Sequence, residues 1–237
     1  MNISIVGAGR AGSSFATALE LVGHDVRVVH HEDASMITDA ELIILCVPDD
    51  ALSSVASSVA PREDRVIAHV AGSRNLDVLA PHPRVGSLHP LMALPSGSDG
   101  DRLIGATYCV AGDELVRGVA RSLDGRIITL RDDQRTTYHA AAVVASNHLV
   151  ALMGQVRTLA ESIGLTLEDF LPLAQQSLED VASFGPDDAL TGPASRGDMA
   201  TIDAHLAALP ESERSTYVAL ANAAFELAER HRSQTPA

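Results

Sequence analysis

The sequence predicts an α/β protein with an N-terminal doubly wound, mainly parallel sheet and an all-α C-terminal region. Two observations support this prediction. Up to about residue 132, short β-branched apolar runs alternate with helical stretches, which is typical of βα units around a parallel sheet. Beyond that point the strand signals end and long Ala- and Leu-rich segments follow. We therefore expect a sheet domain over residues 1–132 and a helical domain over residues 133–237.

Short, near-continuous apolar runs predict the strands, because such runs suit strands that are covered on both faces. The runs span residues 3–6, 26–29, 42–47, 66–70, 85–88, 107–111 and 126–130. Helical spacing predicts helices over residues 11–22 and 50–59, and Asp49 or Asp50 is expected to cap the second. Further helices are predicted over residues 134–163, 167–184, 198–209 and 211–232. Gly164 and Gly185 are the expected helix stops, and Asp198 an expected N-cap.

A glycine-rich turn follows the first predicted strand and opens the first predicted helix. It fits the pattern G-x-G-x-x-G and consists of Gly7, Ala8, Gly9, Arg10, Ala11 and Gly12. Gly7 permits a tight turn, Gly9 lets the backbone approach a pyrophosphate, and Gly12 allows close packing of helix on strand. The alternative is a tight βα turn without a ligand. The strand–turn–helix context predicts a dinucleotide site.

The end of the second predicted strand bears on the choice between NADP and NAD. An NAD site usually has an acidic residue there, which accepts hydrogen bonds from the ribose hydroxyls. Here His30 and His31 stand at the strand end, with Glu32 and Asp33 just after them. A histidine helped by Arg10 suits the 2′-phosphate of NADP, whereas Glu32 suits a ribose. We predict NADP, with NAD as the alternative.

Residues beyond the next strands are expected to complete the site, because ligands in a doubly wound sheet lie outside the carboxyl ends of the strands. Val47 and Pro48 should line the cofactor. Segments 69–73, which includes Ser73, and 87–90 should lie near the nicotinamide. His89 is a candidate proton donor because imidazole titrates near neutral pH, the alternative being a surface or packing role.

Composition argues against several classes of function. The formal net charge of −14 disfavours nucleic acid and anionic membranes as partners. All 17 basic residues are Arg, which excludes Schiff-base catalysis and a lysine general acid. Cys46 and Cys109 lie in apolar runs and are expected to be buried thiols, without a disulfide or a metal site. With no charged leader and no apolar run of roughly 20 residues, a cytoplasmic protein is expected.

These residues resemble the Rossmann-like proteins whose C-terminal region is called DUF2520. Such proteins are relatives of the 6-phosphogluconate and β-hydroxyacid dehydrogenases, the pyrroline-5-carboxylate reductases and the F420-dependent NADP reductases. The matching motifs are GAGRAG at 7–12, LCVPDDAL at 45–52, HVAGS at 69–73, GSLHP at 86–90, YHAAAVVASNHLVAL at 138–152 and ALTGPASRGD at 189–198. The first motif is shared by many dinucleotide enzymes, and the last two are much more specific.

The sequence departs from the family pattern at two places. Leu91-Met92-Ala93 stands where the family often has Gln-Ser-Phe, which puts substrate contacts there in doubt. Arg135 stands where a Lys commonly precedes Tyr-His by three residues. Arg can orient a carboxylate through two hydrogen bonds, but it cannot donate a proton near neutral pH.

The resemblance implies an NAD(P)-dependent oxidoreductase of the CH–OH donor class. It would reduce a C=O or C=N of a small carboxylic acid such as a ketopantoate-like 2-oxo acid. The resemblance also implies a homodimer whose helical region closes the site, and an Asn147 that holds the carbonyl and the cofactor amide. The alternatives are a non-catalytic NADP-sensing protein and an F420-linked reductase of NADP.

A polar stripe is predicted on the helix that follows residue 133. Arg135, His139 and Asn147 share this helix, and His139 and Ser146 nearly superpose on a helical wheel. Polar groups on a buried helix need partners, which a substrate or an interhelical hydrogen-bond network would supply. His139 is therefore the rival of His89 as proton donor. Arg135 or Arg196 would pair with a substrate carboxylate.

Overall fold

The computed structural model describes residues 1–95 and 100–234, with side chains up to residue 233. Its backbone contacts divide the chain into two compact units, Met1–Ser146 and Asn147–Ala237, which are described separately. A mostly parallel sheet followed by a helical part confirms the predicted fold class. The change from sheet to helices follows residue 128, whereas the contacts separate only at 146/147. The domain boundary at 132/133 stays a prediction based on secondary structure.

The sheet of the first unit has seven strands within the described residues. They are β1 (Asn2–Val6), β2 (Asp25–Val29), β3 (Leu42–Leu45), β4 (Val66–His69), β5 (Val85–Pro90), β6 (Thr107–Gly112) and β7 (Arg126–Ile128). Their order is β2-β1-β3-β4-β5-β6-β7, and every neighbouring pair is parallel except β5 with β6. Each predicted strand is confirmed, although β3, β4 and β7 end one or two residues early.

Four helices belong to the first unit in its described part: α1 (Arg10–Leu21), α2 (Leu52–Ser58), α3 (Glu114–Ser122) and α4 (Arg135–Val143). Helix α3 has no counterpart in the sequence prediction. Its N-cap is Asp113, which accepts a hydrogen bond from the Leu115 N–H, and its buried residues are Val116, Val119 and Ala120. It provides the crossover between the parallel strands β6 and β7.

The predicted cap of α2 is wrong. The N-cap residue is Ala51, and neither Asp49 nor Asp50 caps the helix. The Asp49 carboxylate accepts hydrogen bonds from Ser73 Oγ at 3.0 Å and from Arg74 Nε at 3.2 Å instead. Because β3 and β4 are neighbouring parallel strands, the segments that follow them leave the same edge of the sheet. Asp49 therefore joins these two loops.

The two faces of the sheet have separate apolar cores. Helices α1 and α3 cover one face through residues such as Phe15 and Val119. On the other face, Val6, Ile43, Leu45 and Ile67 pack with α2 residues Leu52 and Val55, and we call these four sheet positions the apolar half of this face.

The same face becomes polar towards β5. One row of paired residues runs from Val6 through Leu45 to His69 and Ser87, and His89 shares the face of Ser87 because it lies two residues further along β5. We call His69, Ser87 and His89 the polar half. Contacts from α4, given below, reach Ser87 and His89.

The second unit is helical throughout its described elements. A π-turn at Val144–His148 joins α4 to α5 (Leu149–Ser162), and the helices that follow are α6 (Leu171–Phe184), α7 (Pro186–Ala189), α8 (Gly192–Arg196), α9 (Met199–Ala208) and α10 (Glu211–Gln234). Asp198 caps α9 as predicted, accepting a hydrogen bond from the Thr201 N–H at 3.1 Å. Over the described residues, no helix combines the length and hydropathy that a membrane span needs.

Candidate functional site

Two glycines of the turn between β1 and α1 are required by the turn itself. Gly7 has φ +108°, a conformation that residues with a Cβ rarely adopt, and its N–H donates to the Val29 carbonyl at 2.9 Å. A Cβ at Gly12 would overlap the Gly7 carbonyl oxygen. At Gly9, by contrast, a Cβ would meet nothing within 4 Å. Packing within the protein therefore explains Gly7 and Gly12 but not Gly9.

The start of α1 suits an anion. Gly9 is the N-cap residue and has no side chain that could bond the first helical N–H groups, and the first turn contains no acidic residue. Helix N-termini with unpaired N–H groups favour negative charge. Ala8, Gly9 and Arg10 are exposed at this end. The turn therefore fits the pyrophosphate of a dinucleotide.

The residues predicted to select NADP lie on one short turn after β2. His31 begins a 3₁₀ turn, His31–Met36, whose N-cap is His30 and whose first turn includes Glu32 and Asp33. His30 and His31 are both exposed. The Gly7–Val29 hydrogen bond connects the end of β2 with the glycine-rich turn. Val47 and Pro48 follow β3, and Ser73 follows β4, so all three lie at the edge of the sheet to which that turn belongs.

A face of α4 lies against β5 in the first unit. Arg135, Tyr138 and His139 occupy helical positions i, i+3 and i+4, which share one face. Arg135 Nη2 donates to Ser87 Oγ at 3.0 Å, and the Tyr138 hydroxyl and His89 Nδ1 are hydrogen bonded at 2.8 Å. The rings of His89 and His139 meet edge to face with centroids 6.2 Å apart. Three predicted catalytic residues, His89, His139 and Arg135, are thus brought together.

The loop after β4 packs against both imidazoles. A Cβ at Gly72 would lie 2.8 Å from His139 Cδ2 and 2.8 Å from His89 Nε2. Contacts that short do not occur for a real Cβ, so only glycine fits here without displacing a ring. The close approach puts His89 beside segment 69–73, which agrees with the expectation that both lie at the same edge of the sheet, and His139 joins them from α4.

Arg135 is a buried cation with incomplete hydrogen bonding. Its side chain is 1% exposed, and its Nε lies 3.3 Å from a carboxylate oxygen of Asp132, whose side chain is 64% exposed. Its Nη1 is buried and has no hydrogen-bond partner in the described part of the chain. Buried polar atoms are nearly always paired, so this nitrogen calls for an explanation beyond packing.

Burial changes the protonation of the cluster. It lowers the pKa of His89 to about 4, and the positive charges of His139, His69 and Arg135 act in the same direction. Burial, followed by the charge of Arg135, also lowers the pKa of His69 to about 4. The expectation that His89 titrates near neutral pH is therefore wrong, because its imidazole is neutral there.

Tyr138 is the residue of the cluster that the sequence prediction missed. It stands inside the motif at 138–152, between Arg135 and His139, and its i+3 spacing from Arg135 was the available signal. Burial raises its pKa to about 12.

The remaining predicted residues belong to the second unit. Asn147 is the first residue of that unit, lies in the π-turn and is exposed. The helical wheel that placed His139 above Ser146 assumed an uninterrupted α-helix, and this regularity ends at Val144. Arg196 is the last residue of α8. The catalytic roles of Asn147 and Arg196 stay predictions.

Solved structures of low sequence identity share this fold. A protein of Bacteroides fragilis that is described as an NADP oxidoreductase is 22% identical, with a TM-score of 0.82 over 95% of this chain and 98% of that chain. Pyrroline carboxylate reductase of Plasmodium falciparum, solved with NADP bound, is 14% identical, with a TM-score of 0.63 over 98% of both chains. A reductive aminase of Aspergillus terreus, in complex with NADPH and ethyl levulinate, is 18% identical, with a TM-score of 0.60 over 77% and 74%.

Family models match both parts of the sequence. A Rossmann-like domain matches residues 30–95, and the domain of unknown function DUF2520 matches residues 106–224. No curated protein matches the sequence. The matched ranges confirm the resemblance predicted from the motifs. With half of its length covered by the DUF2520 model, the chain belongs to the DUF2520 family and carries a Rossmann-like domain.

Proposed function

We propose that this protein is an NADP-dependent oxidoreductase that reduces a C=O or C=N of a small carboxylic acid. The proposal rests chiefly on one observation. A single sheet carries a turn fitted to a pyrophosphate after β1 and a partly buried cluster of His89, Tyr138 and Arg135 around β5. The NADP-binding structures that share the fold support the choice of chemistry.

When bound, the dinucleotide supplies a hydride. The α1 N-terminus and Gly9 would hold its pyrophosphate, while Arg10 and His31 would meet a 2′-phosphate. Val47, Pro48 and Ser73 would line its nicotinamide half. We expect NADPH to bind more tightly than NADH, and His31→Asp to narrow or reverse the preference, because a carboxylate repels the phosphate and binds ribose hydroxyls. Nicotinamide fluorescence titrations measure both affinities, and equal or NADH-favouring affinity in the unmodified protein contradicts NADP.

Arg135 supports an acid as the substrate. A buried guanidinium with a free N–H is complementary to a carboxylate oxygen, and charge-assisted hydrogen bonds of this kind are strong. His89 and His139 would face the reacting carbon, and Asn147 would hold the carbonyl as the family resemblance implies. Substrates with a C=O give the CH–OH donor class, whereas substrates with a C=N give amines.

The test is a spectrophotometric screen for NADPH oxidation with 2-oxo acids, ketopantoate and cyclic imino acids, each paired with its methyl ester. We expect NADPH to be consumed with at least one acid and to be consumed little with the methyl ester of that acid. Arg135→Met should abolish the preference for the acid over its ester, whereas the control Arg157→Met, at an exposed position, should preserve it. Tight NADPH binding without turnover on any substrate favours the sensing protein. Oxidation of reduced F420 by NADP favours the F420-linked reductase.

We further propose a homodimer formed by the helical unit. Large apolar side chains are exposed along α6, among them Leu173 at 66%, Leu178 at 53% and Phe184 at 64%. Contiguous exposed apolar surface usually marks an interface. Light scattering should give about twice the 24.8 kDa chain mass, and Phe184→Asp should lower it. A monomer at micromolar concentration contradicts the dimer.

A further inference from the structure

The function proposed above gives Tyr138 no chemical role, although its hydroxyl is hydrogen bonded to His89. The hydroxyl and Nδ1 are 2.8 Å apart, and the two rings meet edge to face at 86° with centroids 5.5 Å apart. Helix α4 supplies the tyrosine and β5 the histidine. The contact therefore fixes the position of a candidate catalytic ring from a separate element.

The direction of this hydrogen bond determines which nitrogen of His89 carries the proton. If Nδ1 donated, the hydroxyl proton of Tyr138 would need another acceptor, and the described residues provide none. If the hydroxyl donates, the hydroxyl proton and Nδ1 are both paired, and only the Nε2–H remains for a ligand or solvent. A neutral imidazole that accepts at Nδ1 carries its proton on Nε2. The second arrangement leaves fewer groups unpaired.

The Nε2 side of His89 faces the loop after β4. In this loop, a Cβ at Gly72 would come within 2.8 Å of Nε2. Because position 72 is a glycine, no side-chain atom covers Nε2 from this side. His139 lies against the same glycine and limits rotation of the His89 ring. An Nε2 proton would therefore lie beside segment 69–73, which follows the carboxyl end of β4.

We propose that Tyr138 is a positioning residue that holds His89 in the Nε2–H tautomer and returns a proton to it during the reaction. As reduction makes the substrate atom basic, the Nε2–H bond breaks and a bond from that proton to the substrate oxygen or nitrogen forms. At the same time the Tyr138 O–H bond breaks and an Nδ1–H bond forms. The Nδ1 proton then returns to the phenolate as Nε2 takes a proton from solvent, which restores the Nε2–H tautomer. This inference rests on the proposed function.

The charges around the pair are consistent with this role. Both partners are neutral over a wide range, because burial lowers the pKa of His89 and raises that of Tyr138. Burial and Cys109 raise the pKa of the Tyr138 phenol, and the guanidinium of Arg135, one helical turn earlier, offsets part of that rise. A neutral imidazole with a phenol behind it can deliver a proton at neutral pH, where imidazolium is scarce at this position.

The tautomer can be measured without a substrate by long-range ¹H–¹⁵N NMR of histidine-labelled protein at pH 7. The His89 signals are those lost in His89→Gln. We expect a pure Nε2–H pattern in the unmodified protein. In Tyr138→Phe we expect that pattern to be lost and both nitrogens to shift towards a tautomer mixture. An Nδ1–H pattern in the unmodified protein overturns the inference without any variant at Tyr138, and so does an unchanged His89 pattern in Tyr138→Phe.

Tyr217→Phe is a matched control, because the Tyr217 hydroxyl lies 2.6 Å from His205 Nδ1 in a similar edge-to-face pair. This substitution should shift the ring ¹⁵N signals of His205 and leave those of His89 unchanged. NADPH titrations should give the same affinity for Tyr138→Phe as for the unmodified protein, and kcat should fall roughly tenfold or more with KM unchanged. Absence of any turnover contradicts the proposed function and leaves the NMR result valid. If the unmodified protein is active but its His89 is a mixture of tautomers, the result contradicts the role of Tyr138 and leaves the proposed function intact.

Discussion

The two halves of one sheet face have different tasks, although one row of paired residues, Val6, Leu45, His69 and Ser87, runs through both. The apolar half, Val6, Ile43, Leu45 and Ile67, packs with α2 and makes a core. The polar half, His69, Ser87 and His89, has partners or neighbours on α4 and contains groups whose burial is costly. Stability and function are therefore separated by position on this face. Substitutions in the apolar half should mainly lower the free energy of unfolding, and substitutions at the polar half and its α4 partners should mainly lower turnover.

Leu45→Ala should have the largest effect on folding. Leu45 is fully buried, and removing its side chain leaves a cavity in the apolar half. Such changes cost about 2–5 kcal/mol in the free energy of unfolding. Urea unfolding measures the loss. A loss below that range, or a loss of NADPH affinity in protein that is still folded, would contradict the division.

Acid should weaken the fold through the polar half. A histidine whose pKa is about 4 in the folded state and about 6.5 in the unfolded state leaves the unfolded state binding more protons between these values. Stability is therefore lost as pH falls through that window, by about 3 kcal/mol for a buried group such as His69. Urea unfolding between pH 7 and 4.5 should show a smaller loss in His69→Gln, whereas Leu45→Ala should keep the pH slope of the unmodified protein. Equal slopes in all three proteins contradict this assignment.

Arg135→Met should affect activity more than stability. Removing the guanidinium ends the cost of burying its charge, and the exposed carboxylate of Asp132 is solvated without it, whereas the buried Ser87 hydroxyl loses one partner. Loss of a charge-assisted contact to the substrate should lower kcat/KM for the acid roughly 10²-fold. Unfolding midpoints and steady-state rates are measured on the same preparation. A large loss of stability with unchanged kcat/KM would make Arg135 a structural residue.

Glycine substitutions give the smallest and sharpest comparison. Gly72→Ala should displace His89 or His139 by a few tenths of an ångström and lower turnover roughly tenfold, because misplaced catalytic groups are costly. Gly118→Ala in α3 meets open space and should stabilise the protein by about 0.5–1 kcal/mol without changing turnover. Similar effects of the two variants on turnover contradict the role given to Gly72.

The strands and the glycine-rich turn could be predicted because their signals are local. Uninterrupted β-branched runs mark strands, and Gly7 and Gly12 mark a turn whose shape only glycine permits. Helix α3 was missed although Val116, Val119 and Ala120 have the i, i+3, i+4 spacing of a buried helical face. The cap at Asp49 failed for a different reason: a nearby loop provided better partners than the helix N-terminus.

The candidate site was only partly predictable. Motif spacing identified His89, His139 and Arg135, but the pKa of His89 depends on burial beneath elements distant in sequence. The hydrogen bond from Tyr138 depends on how α4 lies across β5, which no local pattern specifies. The π-turn at Val144–His148 also could not be inferred from an Ala- and Val-rich stretch that suits a regular helix.

The antiparallel pairing of β5 with β6 has a consequence for how new specificities could arise. Pro90 at the end of β5 pairs with Tyr108 near the start of β6, so the chain leaves β5 and enters β6 at the same edge of the sheet. A parallel crossover must return along the sheet, whereas this connection can change in length or composition without altering strand order. It begins with Leu91-Met92-Ala93, where the sequence departs from its family. The exposed segment Leu91-Met92-Ala93 is therefore exchangeable, and natural relatives should differ there more freely than at Leu103 and Ala106, which are buried in the core.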